Sequence, residues 1–410
     1  MSLLSVDEAR ERILSQFQPV KTETLPLGEC LNRVLAQNII AADELPLFDN
    51  SSMDGFAIRA ADVTHATSAS PRSLRVVADI PAGSSPTVSL EPGEAARIMT
   101  GAQMPDGADA VVPVEDTDFN DHSAGTEAPK DVQIFKAIHA GDNVRRRGMD
   151  IHTGDFVLHK GRRLKPQDLG LLAMLGFSQV IAYRRPRVAL FSSGDELIAV
   201  DAPLEKGKIR DSNSYTIAAL LENADAQVIR LGVAKDNFDS AQALFEKAVY
   251  LRVDLILSSA GVSVGAFDFV KSVIETHGSM DFWRVNMRPG KPLAFGNYKA
   301  VPFIGLPGNP VSAFVGFEVF VRPTMQKLGG SLNEGRQSVR VRSVEEINSD
   351  GRESYLRADV REENGVLVAR LTGHQGSGNI HSLVQANALL IIPAGVKCVP
   401  AGQEATAWLL

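Results

Sequence analysis

Cysteine is scarce in this sequence. Cys30 and Cys398 are the only two thiols among 410 residues, so the chain can build neither a disulfide framework nor a cluster of cysteine metal ligands. A soft metal handled by this protein would therefore need sulfur ligands that a cofactor supplies.

Long apolar runs and an excess of positive charge are also missing. No apolar run is long enough to cross a bilayer, and the first residues lack the basic and apolar regions of a signal peptide. Lys and Arg number 42 against 49 Asp and Glu, and the net charge of −7 argues against general nucleic-acid binding. We therefore expect a cytoplasmic protein with neither nucleic acid nor a membrane as its partner, in which anion binding is local.

The order of sequence patterns predicts several domains, as the length of 410 residues also does. Strand and helix patterns alternate between residue 187 and about residue 328, which predicts a doubly wound parallel α/β sheet. Short β-like runs before and after it predict a small β domain that extends to about Asp150 and a small β-barrel or sandwich over Gln337 to Leu410. Asn364-Gly365 is a hairpin turn signal in the last region.

Small residues and hydroxyls follow the predicted strand Val253 to Leu257. Gly261 and Gly265 provide a permissive backbone whose amides can face an anion, and Ser263 adds a hydroxyl donor. Asp268, just beyond, is a ligand type that suits a hard cation. Taken alone, this turn is better explained as an ordinary strand-to-helix loop of an α/β domain.

Charged residues follow other predicted strands of the α/β region. Glu196 follows the first of them, and the cations Arg284, Arg288 and Lys291 surround a rigid Pro-Gly turn. In such sheets ligands bind beyond the carboxyl ends of the strands, so these turns are expected to meet at one edge. Carboxylates and fixed cations together favour a Mg²⁺-dependent enzyme that acts on a phosphate anhydride. A P-loop enzyme is excluded, because no Walker sequence is present.

The arginine segment, Arg145 to Arg147, places three guanidinium groups beside Asp150. Two interpretations remain open at this point. The arginines are solvated or structural side chains, or they form a fork for phosphate or another oxyanion.

Seven motifs in one order resemble the molybdopterin molybdenumtransferases, bacterial enzymes related to the C-terminal domain of gephyrin. The resemblance spans nearly the whole chain. The motifs are Asn50-Ser51-Ser52-Met53-Asp54-Gly55-Phe56-Ala57, Ile98-Met99-Thr100-Gly101-Ala102, Arg145-Arg146-Arg147-Gly148, Ser193-Gly194-Asp195-Glu196-Leu197, Gly261-Val262-Ser263-Val264-Gly265, Pro289-Gly290-Lys291-Pro292 and Leu306-Pro307-Gly308-Asn309-Pro310.

The resemblance implies the conversion of adenylylated molybdopterin and molybdate to molybdenum cofactor and AMP, with Mg²⁺ present. It also implies a homodimer that works beside other proteins of molybdenum cofactor biosynthesis. Its α/β domain is similar to the molybdopterin adenylyltransferase fold. The implied domains are an elongated N-terminal domain of residues 1–47 and 151–184, a small β domain of residues 48–150, an α/β domain of residues 185–330 and a C-terminal β-barrel-like domain of residues 331–410.

Site residues follow from the same resemblance, position by position. Glu196 and Asp268 are the implied magnesium ligands. The implied catalytic residues are Asp54, Thr100, Glu196, Asp236, Asp268 and Lys291. The implied substrate-binding residues are Arg147, Asp150, Gly194, Ser212, Gly261, Ser263, Gly265, Arg284, Arg288, Pro307, Pro310 and Ser377.

The chain departs from the family pattern at four positions. Ala260 replaces a common glycine and Phe269 a common tyrosine, and arginine stands for lysine at Arg284 and Arg288. Two other functions share the fold. One is the preceding adenylyl transfer to molybdopterin, which consumes ATP, and the other is a non-catalytic scaffold of the gephyrin type that binds partner peptides.

Overall fold

The computed structural model describes residues 3–119, 126–260, 266–332 and 335–410, apart from the side chains at positions 260, 266–268 and 283. The chain divides into two compact units. Asn38–His159 forms one unit, and Met1–Gln37 together with Lys160–Leu410 forms the other. Within the described ranges, no helix combines the length and the apolarity that a membrane crossing requires.

The helices are short, and several of them begin at a polar cap or a proline. Ser5 caps the first helix, because its hydroxyl oxygen accepts a hydrogen bond from the amide of Glu8 at 3.2 Å. Asn237 caps a later helix through the amide of Ser240 at 2.8 Å. The described α-helices are Val6–Ser15, Pro166–Met174, Asn213–Asn223, Phe238–Tyr250, Ala266–His277, Pro310–Gly316, Arg322–Leu328 and Ile380–Val384, and the π-helical turn Phe317–Val321 joins the sixth to the seventh.

The unit Asn38–His159 is built on a five-stranded sheet, as the β-like runs predict. Phe56 and Ile58 are fully buried on one strand of this sheet and anchor its core. The strands lie in the order Ala110–Pro113, Gly55–Ile58, Glu94–Ile98, Arg72–Ile80 and Asp131–Ile134, and the third and fourth are the parallel pair. Two short ladders join Ile39–Ile40 to Phe156–Leu158 and Asn50–Ser51 to Val144–Arg145.

The larger unit contains a six-stranded sheet. In spatial order its strands are Gln227–Ala234, Arg187–Ser193, Leu255–Ala260, Val301–Pro307, Pro292–Tyr298 and Gly278–Arg284. The first four are parallel, Pro292–Tyr298 runs antiparallel to both of its neighbours, and Gly278–Arg284 therefore runs in the same direction as the first four. The sequence pattern predicts the parallel strands but not Pro292–Tyr298, because Gly296 and Asn297 interrupt its apolar run. Gly296 is needed there, since a Cβ would lie 2.3 Å from the carbonyl oxygen of Ser279 on the next strand.

Apolar cores cover both faces of the six-stranded sheet, which confirms the doubly wound arrangement. On one face, the ring of Phe245 lies 5.3 Å from those of Phe191 and Phe303. On the other face, the core extends to Ile13 of the N-terminal helix and to Tyr355 of the C-terminal region. The N-terminal helix and the C-terminal region are therefore packed on the sheet and share its core.

The C-terminal region closes into a five-stranded barrel. Asn364 and Gly365, with φ of 52° and 77°, form the predicted hairpin turn. The strands follow the closed order Glu353–Glu363, Val366–Leu371, Ser338–Ser343, Glu404–Leu409 and Ala388–Ile392, whose last member pairs with the first. The remaining ladders of this unit join Met287–Arg288 to the start of Glu353–Glu363, Thr22–Pro26 to Gln179–Tyr183, Leu197–Ile198 to Ile209–Arg210, and Ile347–Asn348 to Cys398–Val399.

Candidate functional site

The carboxyl ends of the parallel strands lie side by side. The register sets Ser192 opposite Ser259 and Ser259 opposite Leu306. The last two strands continue this line. Pro292, the first residue of Pro292–Tyr298, lies opposite Arg284, the last residue of Gly278–Arg284. We call this line the rim, defined by the strand-end residues Ala234, Ser193, Ala260, Pro307, Pro292 and Arg284.

A cavity of about 460 Å³ opens at the rim beside the strand Arg187–Ser193. The helices Asn213–Asn223 and Pro310–Gly316 both begin on its wall. We call it the rim cavity; it is lined by Ser193, Glu196, Leu197, Ile209, Arg210, Asp211, Ser212, Asn213, Ser259, Gly308, Asn309 and Pro310. Three predicted site residues, Glu196, Ser212 and Pro310, thus share one cavity wall.

Asn213 connects three turns of the rim cavity. Its side-chain amide donates hydrogen bonds to the hydroxyl oxygen of Ser259 at 2.8 Å and to the carbonyl oxygen of Gly308 at 2.7 Å. Only 8% of Asn213 is exposed. The sequence analysis does not select this residue, because helix capping accounts for a polar residue at a helix start.

Four oxygens near the rim are buried without a hydrogen-bond partner among the described residues. They are the hydroxyls of Ser192, Ser193 and Ser258 and Oδ1 of Asp236. An unpaired buried polar group costs about 1–3 kcal/mol, so a ligand that pairs with it gains binding free energy. The sequence signal for these serines is the pair Ser-Ser, which ends two strands that are otherwise apolar.

Gly194 makes room for the carboxylate of Glu196. A Cβ at position 194 would lie 2.6 Å from Oε2 of Glu196. The φ of 142° at Gly194 also disfavours any side chain. Gly194 thus acts on the position of the Glu196 carboxylate on the cavity wall.

Asp236 lies beside the rim cavity and is not among its lining residues. Its amide donates to Oδ1 of Asp195 at 3.1 Å, and the amide of Asp195 donates to Oδ2 of Asp236 at 3.3 Å. Lys208 fixes the same turn by donating to the carbonyl oxygen of Asp195 at 2.7 Å. These bonds join the loops that follow two adjacent strands.

The predicted cations lie at the antiparallel end of the rim. Lys291 directly precedes the strand Pro292–Tyr298, and Arg288 lies 3.9 Å from Asp350. Three strand spacings, about 14 Å, separate that strand from the one before Glu196. None of Arg284, Arg288 and Lys291 lines the rim cavity. The fold therefore brings Glu196 and Lys291 to one edge of the sheet but not into one pocket.

The C-terminal barrel contributes a loop to the same edge. The amide of Val311, in the first turn of Pro310–Gly316, donates to the carbonyl oxygen of Ser377 at 3.0 Å. Pro307 ends the strand that leads to this helix. The predicted residues Pro307, Pro310 and Ser377 thus lie close together.

Arg357 fixes the loop that carries Ser377, although no sequence pattern predicts this role. Arg357 is fully buried, and burial lowers its pKa to about 10, so the side chain remains cationic at neutral pH. Its guanidinium donates to the carbonyl oxygens of His374, Gln375 and Gly376 at 3.0–3.2 Å and to the hydroxyl of Ser382 at 2.9 Å. An arginine on a strand normally faces solvent, so the sequence carries no signal for this position.

In the unit Asn38–His159, Asp54 and Thr100 contact each other directly. Asp54 Oδ1 accepts hydrogen bonds of 2.7 Å from both the amide and the hydroxyl of Thr100. The two residues come from loops that are 46 positions apart in sequence. The structure thus brings together two of the predicted catalytic residues.

Each guanidinium of the arginine segment has a carboxylate partner. Arg145 pairs with Asp150 at 2.7 Å, Arg146 pairs with Asp49 at 2.8 Å, and Arg147 pairs with Glu44. Burial raises the pKa of Asp49, but hydrogen bonds from the Arg147 amide and the Arg146 guanidinium outweigh it, and the net shift of that pKa is downward. This pairing favours the structural interpretation of the segment over an oxyanion fork.

Three predicted substrate-binding residues, Gly261, Ser263 and Gly265, lie outside the described residues. Asp268 belongs to the helix Ala266–His277, but its side chain is outside the described set as well. Of the two predicted magnesium ligands, only Glu196 therefore has a described side chain. Among the described residues, no three His, Cys, Asp or Glu side chains are grouped as metal ligands.

The α/β domain that carries the rim cavity is of the molybdopterin-binding class. Residues 189–327 match a family model described as a probable molybdopterin binding domain. Residues 4–176 match the MoeA N-terminal region (domain I and II), and residues 340–410 match the MoeA C-terminal region (domain IV).

Relatives over the full length define the family more narrowly. The molybdopterin molybdenumtransferase of Nostoc sp. is 39% identical over 93% of this chain and 87% of its own length, and that of Haemophilus influenzae is 38% identical over 98% of both chains. The crystal structure of the molybdopterin biosynthesis MoeA protein from Pyrococcus horikoshii OT3 matches with a TM-score of 0.83 at 29% identity and covers 100% of both chains. The chain therefore belongs to the MoeA family, as the order of its motifs predicts.

Proposed function

We propose that this protein is a molybdopterin molybdenumtransferase, which inserts molybdenum from molybdate into molybdopterin. The observation that carries the proposal is the rim cavity, which places a carboxylate and an unpaired buried hydroxyl at the carboxyl edge of a parallel sheet. Ligands of such sheets bind at this edge. Relatives that are similar over the full length carry the same name.

The substrate form we assign is adenylylated molybdopterin, with AMP as the released product. The dithiolene of the pterin binds the metal, in agreement with a chain that has only two cysteines. Ser193 donates a hydrogen bond to a phosphate oxygen, and Asn213 holds the turn at Gly308 in place. Lys291 and Arg288 hold an oxyanion at the other end of the rim, so the substrate extends along the strand ends.

Magnesium is the metal that suits this site. The rim cavity offers carboxylate and hydroxyl oxygens, and Mg²⁺ prefers oxygen ligands, keeps several waters and needs only one or two carboxylates with substrate phosphates. Glu196 and Asp268 would hold it. When bound, Mg²⁺ neutralises the charge that develops on the phosphate oxygens.

Assembly and location belong to the same proposal. We assign a cytoplasmic homodimer of four-domain subunits that exchanges its pterin with other proteins of molybdenum cofactor biosynthesis. The mass of the purified protein in solution tests the dimer, which must be twice 44.1 kDa.

The function is tested with purified protein, adenylylated molybdopterin, molybdate and Mg²⁺. We expect AMP to be released together with molybdenum cofactor, and both to be lost without Mg²⁺ and in Asp268→Ala. Undiminished AMP release in Asp268→Ala would remove the role assigned to this residue. ATP consumption with bare molybdopterin, and no reaction with the adenylylated form, would replace the proposal by adenylyl transfer.

A further inference from the structure

A second cavity, of about 410 Å³, adjoins the rim cavity. Leu197 and Asp211 line both cavities, so the two meet at these residues. The other walls include Val200, Tyr215 and Val233, which are 42%, 50% and 43% exposed. We call this second space the side cavity. Most of its lining side chains are apolar, and Arg230 and Asp211 are the charged ones. Such a wall suits a flat, uncharged group.

Tyr215 presents a fixed aromatic ring to the side cavity. The guanidinium of Arg230 lies 4.4 Å from the ring centroid and donates to the carbonyl oxygen of Ser214 at 3.0 Å. Arg230 therefore covers one face of the ring and holds it against the start of the helix Asn213–Asn223. Tyr215 is half exposed, so part of its ring is accessible to a ligand.

The floor of the side cavity is an irregular sheet edge. Gln227–Ala234 is the edge strand of the six-stranded sheet, and its register with Arg187–Ser193 shifts between Leu190 and Phe191. Gly232 has a φ of 97°, and a Cβ there would meet no atom within 4 Å. Such bulges occur at sheet edges beside binding sites, and Gly232 and Tyr215 both line the side cavity.

Asp211 lies at the junction of the two cavities. It is 7% exposed, and its Oδ1 accepts a hydrogen bond from the amide of Ser214 at 3.1 Å. A carboxylate fixed in this way can also accept hydrogen bonds from ribose hydroxyls, as in dinucleotide-binding proteins. The junction thus suits a sugar between an apolar group on one side and a phosphate on the other.

The geometry points to a nucleobase subsite in the side cavity. The adenine of the adenylylated substrate stacks on Tyr215, its ribose lies beside Asp211, and its phosphate lies in the rim cavity. Stacking on an aromatic side chain suits every base, because each has a π face. This inference rests on the proposed function, since the adenine belongs to the adenylate of that substrate.

Calorimetric binding of AMP and of ribose 5-phosphate, both with Mg²⁺, tests the subsite on the full chain. In Tyr215→Ala we expect AMP to bind roughly tenfold to a hundredfold more weakly, with the affinity for ribose 5-phosphate unchanged. Tyr215→Phe keeps the ring and should bind AMP within about threefold of the parent. Tyr250→Ala removes a tyrosine that is 84% exposed and does not line the side cavity, so its AMP affinity should not change.

Three results would overturn the subsite: no AMP binding by the parent protein, an unchanged AMP affinity in Tyr215→Ala, or an equal loss of affinity for both ligands. Circular dichroism of each variant identifies a loss of fold. If Tyr215→Ala is unfolded, Tyr215→Leu, which fills the space without a π face, takes its place, and the same loss of AMP affinity is expected. If cofactor forms but Tyr215→Ala binds AMP normally, only the subsite is wrong. If the AMP results hold but no cofactor forms, the proposed function is wrong and the nucleotide subsite stands.

Discussion

Two groups of buried polar atoms in the larger unit differ in how completely they are paired. Around Glu318, both carboxylate oxygens accept hydrogen bonds from Arg322 and Arg336 at 2.6–3.0 Å, and the carboxylate has no exposed surface. At the rim, the hydroxyls of Ser192 and Ser193 have no partner among the described residues. The Glu318 cluster is complete in the protein alone and stabilises the fold, whereas the hydroxyls at the rim can still pair with a ligand.

The largest effect should come from breaking the paired cluster. Glu318→Gln removes the negative charge between two arginines and leaves them uncompensated in a buried place, so the free energy of unfolding should fall by about 3–5 kcal/mol. Urea unfolding measures this. Glu363→Gln, in the fully exposed pair with Arg370, is the matched control and should leave stability unchanged. Equal losses of unfolding free energy in Glu318→Gln and Glu363→Gln would contradict the claim that the buried cluster stabilises the fold more than the exposed pair does.

The same cluster predicts a pH dependence. Burial raises the pKa of Glu318, but the hydrogen bonds from Arg322 and Arg336 outweigh it and lower the pKa below 4.5. The stabilisation by Glu318 is therefore present above the unfolded-state pKa and is lost as the pH falls through the lower folded-state pKa. Unfolding midpoints measured between neutral and acidic pH should show a shallower acid loss in Glu318→Gln than in the parent. If the unfolding midpoints of the parent and of Glu318→Gln fall in parallel as the pH is lowered, Glu318 does not contribute to the loss of stability in acid.

Glu196→Gln should lower activity without a loss of stability, the reverse of what we expect for Glu318→Gln. We expect AMP release to fall by about a hundredfold, because the carboxylate that would hold Mg²⁺ is lost, with no change in the free energy of unfolding. Product release at saturating substrate gives the rate, and urea unfolding gives the stability. If Glu196→Gln unfolds more easily than the parent but releases AMP at the full rate, then Glu196 stabilises the fold, and the distinction drawn between Glu196 and Glu318 is wrong.

Gly194→Ala tests whether the position of the Glu196 carboxylate at the rim determines the rate of AMP release. The added Cβ displaces the Glu196 carboxylate, so AMP release should fall by about tenfold. Gly207→Ala is the matched control, because Gly207 also has a positive φ, of 81°, but its Cβ would meet no atom within 4 Å. If both variants lose the same activity, backbone strain and not the position of Glu196 is the cause.

The smallest effect is expected in the arginine segment. Arg146→Gln breaks an exposed pair with Asp49. The rate of AMP release should therefore stay within about twofold of the parent rate, and the free energy of unfolding should not change. Product release at saturating substrate and urea unfolding measure the two quantities. A loss as large as that of Glu196→Gln would restore the oxyanion fork as the interpretation of this segment.

Much of the fold can be predicted from the sequence because its signals are local. The alternation of strands and helices predicts the parallel sheet, and Asn364-Gly365 predicts a hairpin that the structure confirms. The shared edge of the turns follows from parallel strands, whose carboxyl ends point the same way. The antiparallel strand Pro292–Tyr298 is missed because its glycine reflects the close approach of a neighbouring strand, which no local pattern reports.

The candidate site is harder to predict because its parts depend on contacts between distant residues. Arg357 and Asn213 are ordinary choices for a strand and a helix start, and only the fold shows that they fix loops at the rim. Conversely, the arginine segment resembles an anion site in sequence, but its carboxylate partners Asp49 and Glu44 lie about a hundred positions away, at sequence separations of 97 and 103. The roles assigned to the site residues stay predictions.

The barrel shares an apolar core with the sheet and is also attached to it through the main chain. The main-chain contacts include the ladder of Met287–Arg288 with Glu353–Glu363 and the hydrogen bond from Val311 to Ser377. A rotation of the barrel against the sheet would break both at once, so the barrel and this edge of the sheet are mechanically coupled. The loop that carries Ser377 therefore keeps its place beside Pro310 for as long as the barrel stays folded.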